Sequence, residues 1–294
     1  FQSLTESNKP GTAFRKGIYL TNVEKNRGDG GQQNGDVLSF HLLRCSTNLQ
    51  GPTDNFSDVD REILHDANTV VEQCFDHPGE LNHVLAQIYF NTRNETSNKE
   101  KKAKISRHSD KTKDMPSNGL LAFVSFYDFA NVTNVSSETD EFDLVYHKKT
   151  SILTQLEFVL KDPQKHPHLE KQFRVTLYPN SLFVISLETN RLYTHEIKPS
   201  SLPIEHIPTR MGYVIRCSNR KAVFRNGQTY ILDENNAEKP LQNINSEVAS
   251  IIKERYMLEN LTDSVISYPL IQSSLNSGDY LMPSNASEPV NHCD

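Results

Sequence analysis

The feature that most constrains this chain is a succession of short apolar runs separated by turn signals. Residues 84–90, 119–129, 142–147, 152–160, 172–178, 182–188, 192–198 and 211–218 are rich in Val, Ile, Leu, Phe and Tyr, which suit a pleated, half-buried surface. Asp162-Pro163, Pro179-Asn180 and Thr189-Asn190 punctuate them. Strands this short bury their apolar faces only by pairing, so a barrel or sandwich is expected. Two helices flank the strands. Residues 58–76 carry Val59, Ile63, Leu64, Val70, Val71 and Phe75 at helical spacing, with Asp58 or Ser57 as cap and Pro78-Gly79 as the stop. Residues 246–260 start from Ser246 and carry Val248, Ile251, Ile252, Tyr256 and Leu258. A hairpin turning at Asn226-Gly227 is expected after Arg220, and the Ser-, Asn- and Pro-rich last 30 residues are expected to wrap the surface or stay mobile. This divides the chain into an N-terminal extension (1–83) whose helix packs on the barrel, a core (84–225), and a C-terminal hairpin, helix and tail (226–294).

At 294 residues the chain is long enough for one large domain. No stretch approaches the roughly 20 apolar residues that span a bilayer, so no membrane is expected. The net charge of −6 argues against a general polyanion binder. Cys45, Cys74, Cys217 and Cys293 form no CxxC pair and no zinc-type spacing. Free thiols in a reducing compartment, nucleus or cytoplasm, are expected. Sequons at Asn55, Asn94, Asn131, Asn134, Asn260 and Asn285 leave secretion open. Oligomeric state is not legible.

The chemistry starts at His108-Ser109-Asp110. On extended backbone, residues two apart point to the same side, so His108 and Asp110 can grip one metal together. Two histidines and a carboxylate on one face leave open positions on an octahedral ion, the facial triad of non-haem iron(II) oxygenases. An isolated H-x-D is weak, and the third ligand must come from His147, His166, His168, His195 or His206. His166 and His168 sit in a Lys- and Pro-rich loop. His195 sits in a strand-like stretch, where a satisfied core or surface histidine is the plainer reading. Arg210 to Arg216 (RMGYVIR) puts Arg210, Gly212, Val214 and Arg216 on one face of a strand. Two arginines there are costly unless they meet anions. A dicarboxylate such as 2-oxoglutarate is a suitable partner, for which Gly212 would leave space. The alternative is an edge strand with both arginines in water.

Taken together, these motifs resemble the AlkB-like branch of the iron(II)/2-oxoglutarate-dependent dioxygenases. That family has an H-x-D, a distal histidine in a phrase like F-Y-H-G-I, and then an R-x-N-x-x-x-R strand. The matching residues here are His108-Ser109-Asp110, Leu192-Tyr193-Thr194-His195-Glu196-Ile197 and Arg210 through Arg216. Gln87-Ile88-Tyr89 corresponds to an upstream polar-x-Tyr pair that lines the cosubstrate. The resemblance covers about residues 84–220. Gly212 stands where the family has Asn, and the gaps from Tyr89 to His108 and from Asp110 to His195 are long. The resemblance implies an α+β, mainly β fold: a double-stranded β-helix (jelly-roll, cupin-like) barrel with flanking helices. It implies Fe(II) on His108, Asp110 and His195. It further implies 2-oxoglutarate paired with Arg210 and aided by Tyr89 and Gln87, with Arg216 beside the metal in the catalytic pocket. O2 would be consumed, with release of succinate and CO2.

The substrate is less constrained. Between residues 93 and 113 eight basic residues face three acidic ones. Lys101, Lys102, Lys104 and Arg107 lie in that stretch, which suits a phosphate backbone. Tyr127, with Phe126 and Phe129, could stack on a base. Many relatives oxidise alkyl groups on nucleobases, so a nucleobase in DNA or RNA is the leading expectation. Hydroxylation of a protein side chain or small molecule is the second. A barrel without catalysis, serving as a binding module, is the third.

Overall fold

The structure, a computed structural model, describes residues 14–26, 37–45, 49–132, 146–147 and 150–286. It is mainly β, with antiparallel sheets and three α-helices. A six-stranded sheet runs in the order Ser181–Ser186, Leu120–Asp128, Thr209–Arg216, His83–Phe90, Phe14–Thr21, Asp54–Asn55. Only the last pair is parallel. A four-stranded antiparallel sheet runs Gln172–Thr176, Gln155–Leu160, Tyr193–Ile197, Ile105–His108.

The inner faces of these sheets share one core. Leu121, Phe123 and Ile185 come from the larger sheet, and Leu156, Phe158 and Tyr193 from the smaller. The alternate residues Leu120, Ala122, Val124, Tyr213 and Ile215 face the other way. They pack on helix α1 (Asp58–Cys74) through Leu64, Ala67 and Val71. Strand Leu120–Asp128 is therefore covered on both sides, which is why it reads as a continuous apolar run. Ser57 closes a capping box with Asp60 at the start of α1. The buried stripe of α1 is narrower than its sequence suggests: Val59 and Val70 are exposed.

The other elements follow the sequence with three departures. Phe14–Thr21, in a polar stretch (1–35) that reads as a tail followed by loop, is a strand of the six-stranded sheet paired with His83–Phe90. The turn expected at Thr189-Asn190 is a helix, α2 (Leu187–Leu192), capped by Ser186. The last helix, α3 (Ser246–Leu261), is capped by Asn245 rather than Ser246. The hairpin turns at Asn226-Gly227, both with positive φ, as a two-residue primed turn requires. Of the strand expected at 142–147, residues 142–145 lie outside the described residues. Tyr146–His147 is a short strand.

The N-terminal and C-terminal sections interleave. A five-stranded sheet joins Glu24–Asn26 and Val37–Leu42 to Arg220–Arg225, Gln228–Leu232 and Glu238–Pro240. Arg44 makes a buried ion pair with Asp114 at 2.7 Å and donates to the carbonyl of Ile271. The C-terminal segment is held in place, with Ser273, Ser274, Asn276 and Asp279 buried. No helix among the described residues is long and apolar enough to cross a membrane.

Candidate metal centre

His108 ends strand Ile105–His108, and His195 sits in Tyr193–Ile197. The two are direct partners across the antiparallel ladder, so register alone brings their rings to 4.5 Å between centroids. Asp110 lies just beyond the strand end, its Oδ1 3.7 Å from His108 Nε2. One donor atom from each of His108, Asp110 and His195 lies within 4.8 Å of the others. No other group of His, Cys, Asp and Glu among the described residues meets that spacing. His166 is instead engaged with Asp263 at 2.7 Å.

The donor set fits a divalent ion. The Ser106 carbonyl can only accept, so His108 Nδ1–H donates to it at 2.8 Å and Nε2 is left as the free lone pair. His195 is buried, and its Nδ1 has no hydrogen-bond partner among the described residues. Burial, reinforced by His108, pushes the His195 pKa down to about 3, so the ring is the neutral, metal-binding form. Burial alone would raise the Asp110 carboxyl. The Arg216 guanidinium outweighs it and holds Asp110 well below the usual carboxylate range. Arg216 Nη2 donates to Asp110 Oδ1 at 2.8 Å, and Nη1 lies 3.0 Å from Cys45 Sγ. Phe158 and Phe123 flank the His195 ring at 5.6 and 5.9 Å.

Arg210 lies on the same strand face, six residues from Arg216, and is also buried. Its surroundings differ. The guanidinium stands 4.5 Å from the centroid of the Tyr89 ring. Its one hydrogen bond among the described residues reaches Ser125 Oγ at 3.3 Å. Tyr89 donates to Gln87 Oε1 at 2.6 Å, so these two sequence-predicted residues meet each other beside Arg210. Gly212 does leave space, but the Arg210 head takes it: a Cβ at Gly212 would lie 2.7 Å from Nη1. Arg210 and Tyr89 line a cavity of about 270 Å³ with Ile152, Ile197 and Lys198.

The residues expected to meet substrate are more committed than their sequence suggests. Arg107 binds Glu196 at 2.6 Å, Lys102 binds Glu100 at 3.1 Å, and Arg93 binds both Glu100 and Glu205. Lys101 and Lys104 are exposed and form no ion pair among the described residues. The Tyr127 hydroxyl donates to the Leu177 carbonyl at 2.6 Å and accepts from Thr154 N–H at 3.1 Å, so this ring braces two loops. Phe126 faces the α1 side against Tyr213, away from the metal ligands.

Asn190, Asn260, Cys45 and Tyr19 also belong to the centre and carry no local sequence signal. Asn190 and Asn260 hydrogen-bond the backbone of the ligand loop, and Tyr19 lies against Cys45 at 3.3 Å. Nothing in the composition around them separates them from surface polar residues. No protein-family model matches the chain, and no curated protein matches it at a significant level.

Proposed function

We propose that the chain is an iron(II)- and 2-oxoglutarate-dependent oxygenase of the AlkB-like kind. The observation that carries this reading is the pairing of two features on facing sheets. One is an N,O,N donor set within 4.8 Å; the other is a buried guanidinium with almost no protein partner, lining a cavity. The strand order supports a double-stranded β-helix. Eight strands, from His83–Phe90 to Thr209–Arg216, fall four in each of the two facing sheets, interleaved as in a jelly roll.

Bound iron(II) supplies the redox chemistry that couples decarboxylation of 2-oxoglutarate to oxidation of a substrate. The chain's own residues do the rest. His108, Asp110 and His195 would hold the ion. Arg216 keeps Asp110 ionised. Arg210, over the Tyr89 ring, receives the distal carboxylate in the cavity that both residues line. A hydrogen bond to a charged group of this kind contributes about 1.5–3 kcal/mol. Phe123 and Phe158 exclude water from the His195 side.

For the substrate, a nucleobase in DNA or RNA remains the reading favoured by the exposed Lys101 and Lys104. A specific observation favours the second reading, a protein side chain or small molecule. The glutamates Glu100, Glu196 and Glu205 already neutralise Lys102, Arg107 and Arg93, which removes much of the surplus that would attract phosphates. The test is metal-dependent succinate release, first without added substrate, then against alkylated oligonucleotides and against peptide libraries. Absence of any metal- and 2-oxoglutarate-dependent release under all three conditions would leave only the binding-module reading.

A further inference from the structure

The metal ligands sit on two segments far apart in sequence, and something must fix the distance between them. Asp110 lies past the end of its strand, where the ladder no longer holds it. Asn190 does so from α2. Its Oδ1 accepts from the Asp110 backbone N–H at 2.8 Å, and its Nδ2 donates to the Asp110 carbonyl at 2.9 Å. The carboxamide is buried, so both bonds form out of water. Asn190 stands five residues before His195, and α2 runs directly into that strand. The clamp therefore ties the Asp110 peptide to the segment that carries the third ligand. A second contact comes from α3: Asn260 Oδ1 accepts from the Ser109 N–H at 2.7 Å, while its Nδ2 donates to the Tyr256 carbonyl at 2.7 Å. Ser109 Oγ also donates to the Tyr193 carbonyl.

We infer that Asn190 and Asn260 are positioning residues of the metal centre, holding the His108-Ser109-Asp110 turn so that its two ligands meet His195. This rests on the reading of those three residues as metal ligands. Neither asparagine touches the ion; each acts through the backbone of the loop. Groups that orient ligands in this way typically change metal affinity by 10–100-fold when lost.

The two asparagines make different demands. At Asn260 the acceptor faces the loop and the donor serves the Tyr256 carbonyl of its own helix, so Asn260→Leu removes the bond to Ser109 N–H, whereas Asn260→Asp would also set a carboxylate oxygen against Tyr256. At Asn190 an acceptor and a donor are both used, so Asn190→Asp sets a carboxylate oxygen against the Asp110 carbonyl. The experiment is calorimetric titration of Mn(II) into the full chain, with thermal unfolding of each metal-free variant alongside. Asn260→Leu and Asn190→Asp are expected to weaken Mn(II) by 10–100-fold. The metal-free melting temperature of Asn260→Leu should stay close to that of the wild type, whereas a merely structural role would lower it in step with the affinity. Equal Mn(II) affinity in Asn260→Leu and wild type would overturn the inference, as would a loss of affinity fully matched by a loss of metal-free stability. His108→Ala serves as the control. If it binds Mn(II) like wild type, the ligand assignment itself fails, whatever the asparagine variants do.

Discussion

Arg216 and Arg210 stand at two ends of one strand face, both buried, and their surroundings are opposite. Arg216 is spent: its head is divided between Asp110 and Cys45, and it supports a ligand. Arg210 is barely used: a 3.3 Å contact to Ser125, an aromatic ring beneath it and a cavity in front. A buried guanidinium is expensive to leave without an anion. The end that already has its carboxylate is built for the protein's own geometry. In the function proposed above, the end that lacks one would receive the carboxylate of 2-oxoglutarate. Burial alone would not separate the two; their hydrogen-bond partners do.

The comparison can be broken most decisively at the metal end. His108→Ala or Asp110→Ala is expected to abolish metal-dependent succinate release, read against a wild-type control at saturating 2-oxoglutarate. Retained turnover would remove the triad from the account. Next in size, Arg216→Ala strands the Asp110 carboxylate in the core. Breaking a buried pair in this way costs about 3–5 kcal/mol, which urea unfolding of the metal-free protein would measure. Arg210→Ala is expected to differ in kind: it strands no charged partner, so stability should change much less, while the 2-oxoglutarate requirement rises by roughly 10–100-fold. If the two arginine variants lost stability equally, the contrast between support and receptor would fail. The smallest effect is expected at the mouth. Lys101→Ala with Lys104→Ala should leave turnover without a polyanion unchanged, and should weaken binding to a single-stranded oligonucleotide by a few-fold with a reduced salt dependence. No change in oligonucleotide binding would favour the protein or small-molecule substrate.

How much of this was legible depends on whether the information was local. Strand periodicity puts Arg210, Gly212 and Arg216 on one face, and the structure has them there. H-x-D works for the same reason, although Asp110 sits past the strand end and needs Asn190 to hold it. His195 was one of five candidates; its strand register against His108 is what selects it. The charge of the 93–113 stretch overstates the free surplus, because its partners Glu196 and Glu205 lie about a hundred residues away. The α2 helix was hidden because Leu187–Leu192 is a little over one turn, too short for a helical period to show. The α3 contact to Ser109 was equally invisible, and it bears on the sequons. The Asn260 carboxamide is engaged at both atoms, and Asn55 Nδ2 donates to the Asn285 carbonyl.

The most direct test of the whole arrangement is titration of 2-oxoglutarate into the Mn(II)-loaded protein. Saturable one-to-one binding is expected, dependent on the metal and strongly weakened by Arg210→Ala. A metal-loaded wild-type protein that takes up no 2-oxoglutarate would contradict it, because the empty-handed guanidinium would then have some other purpose.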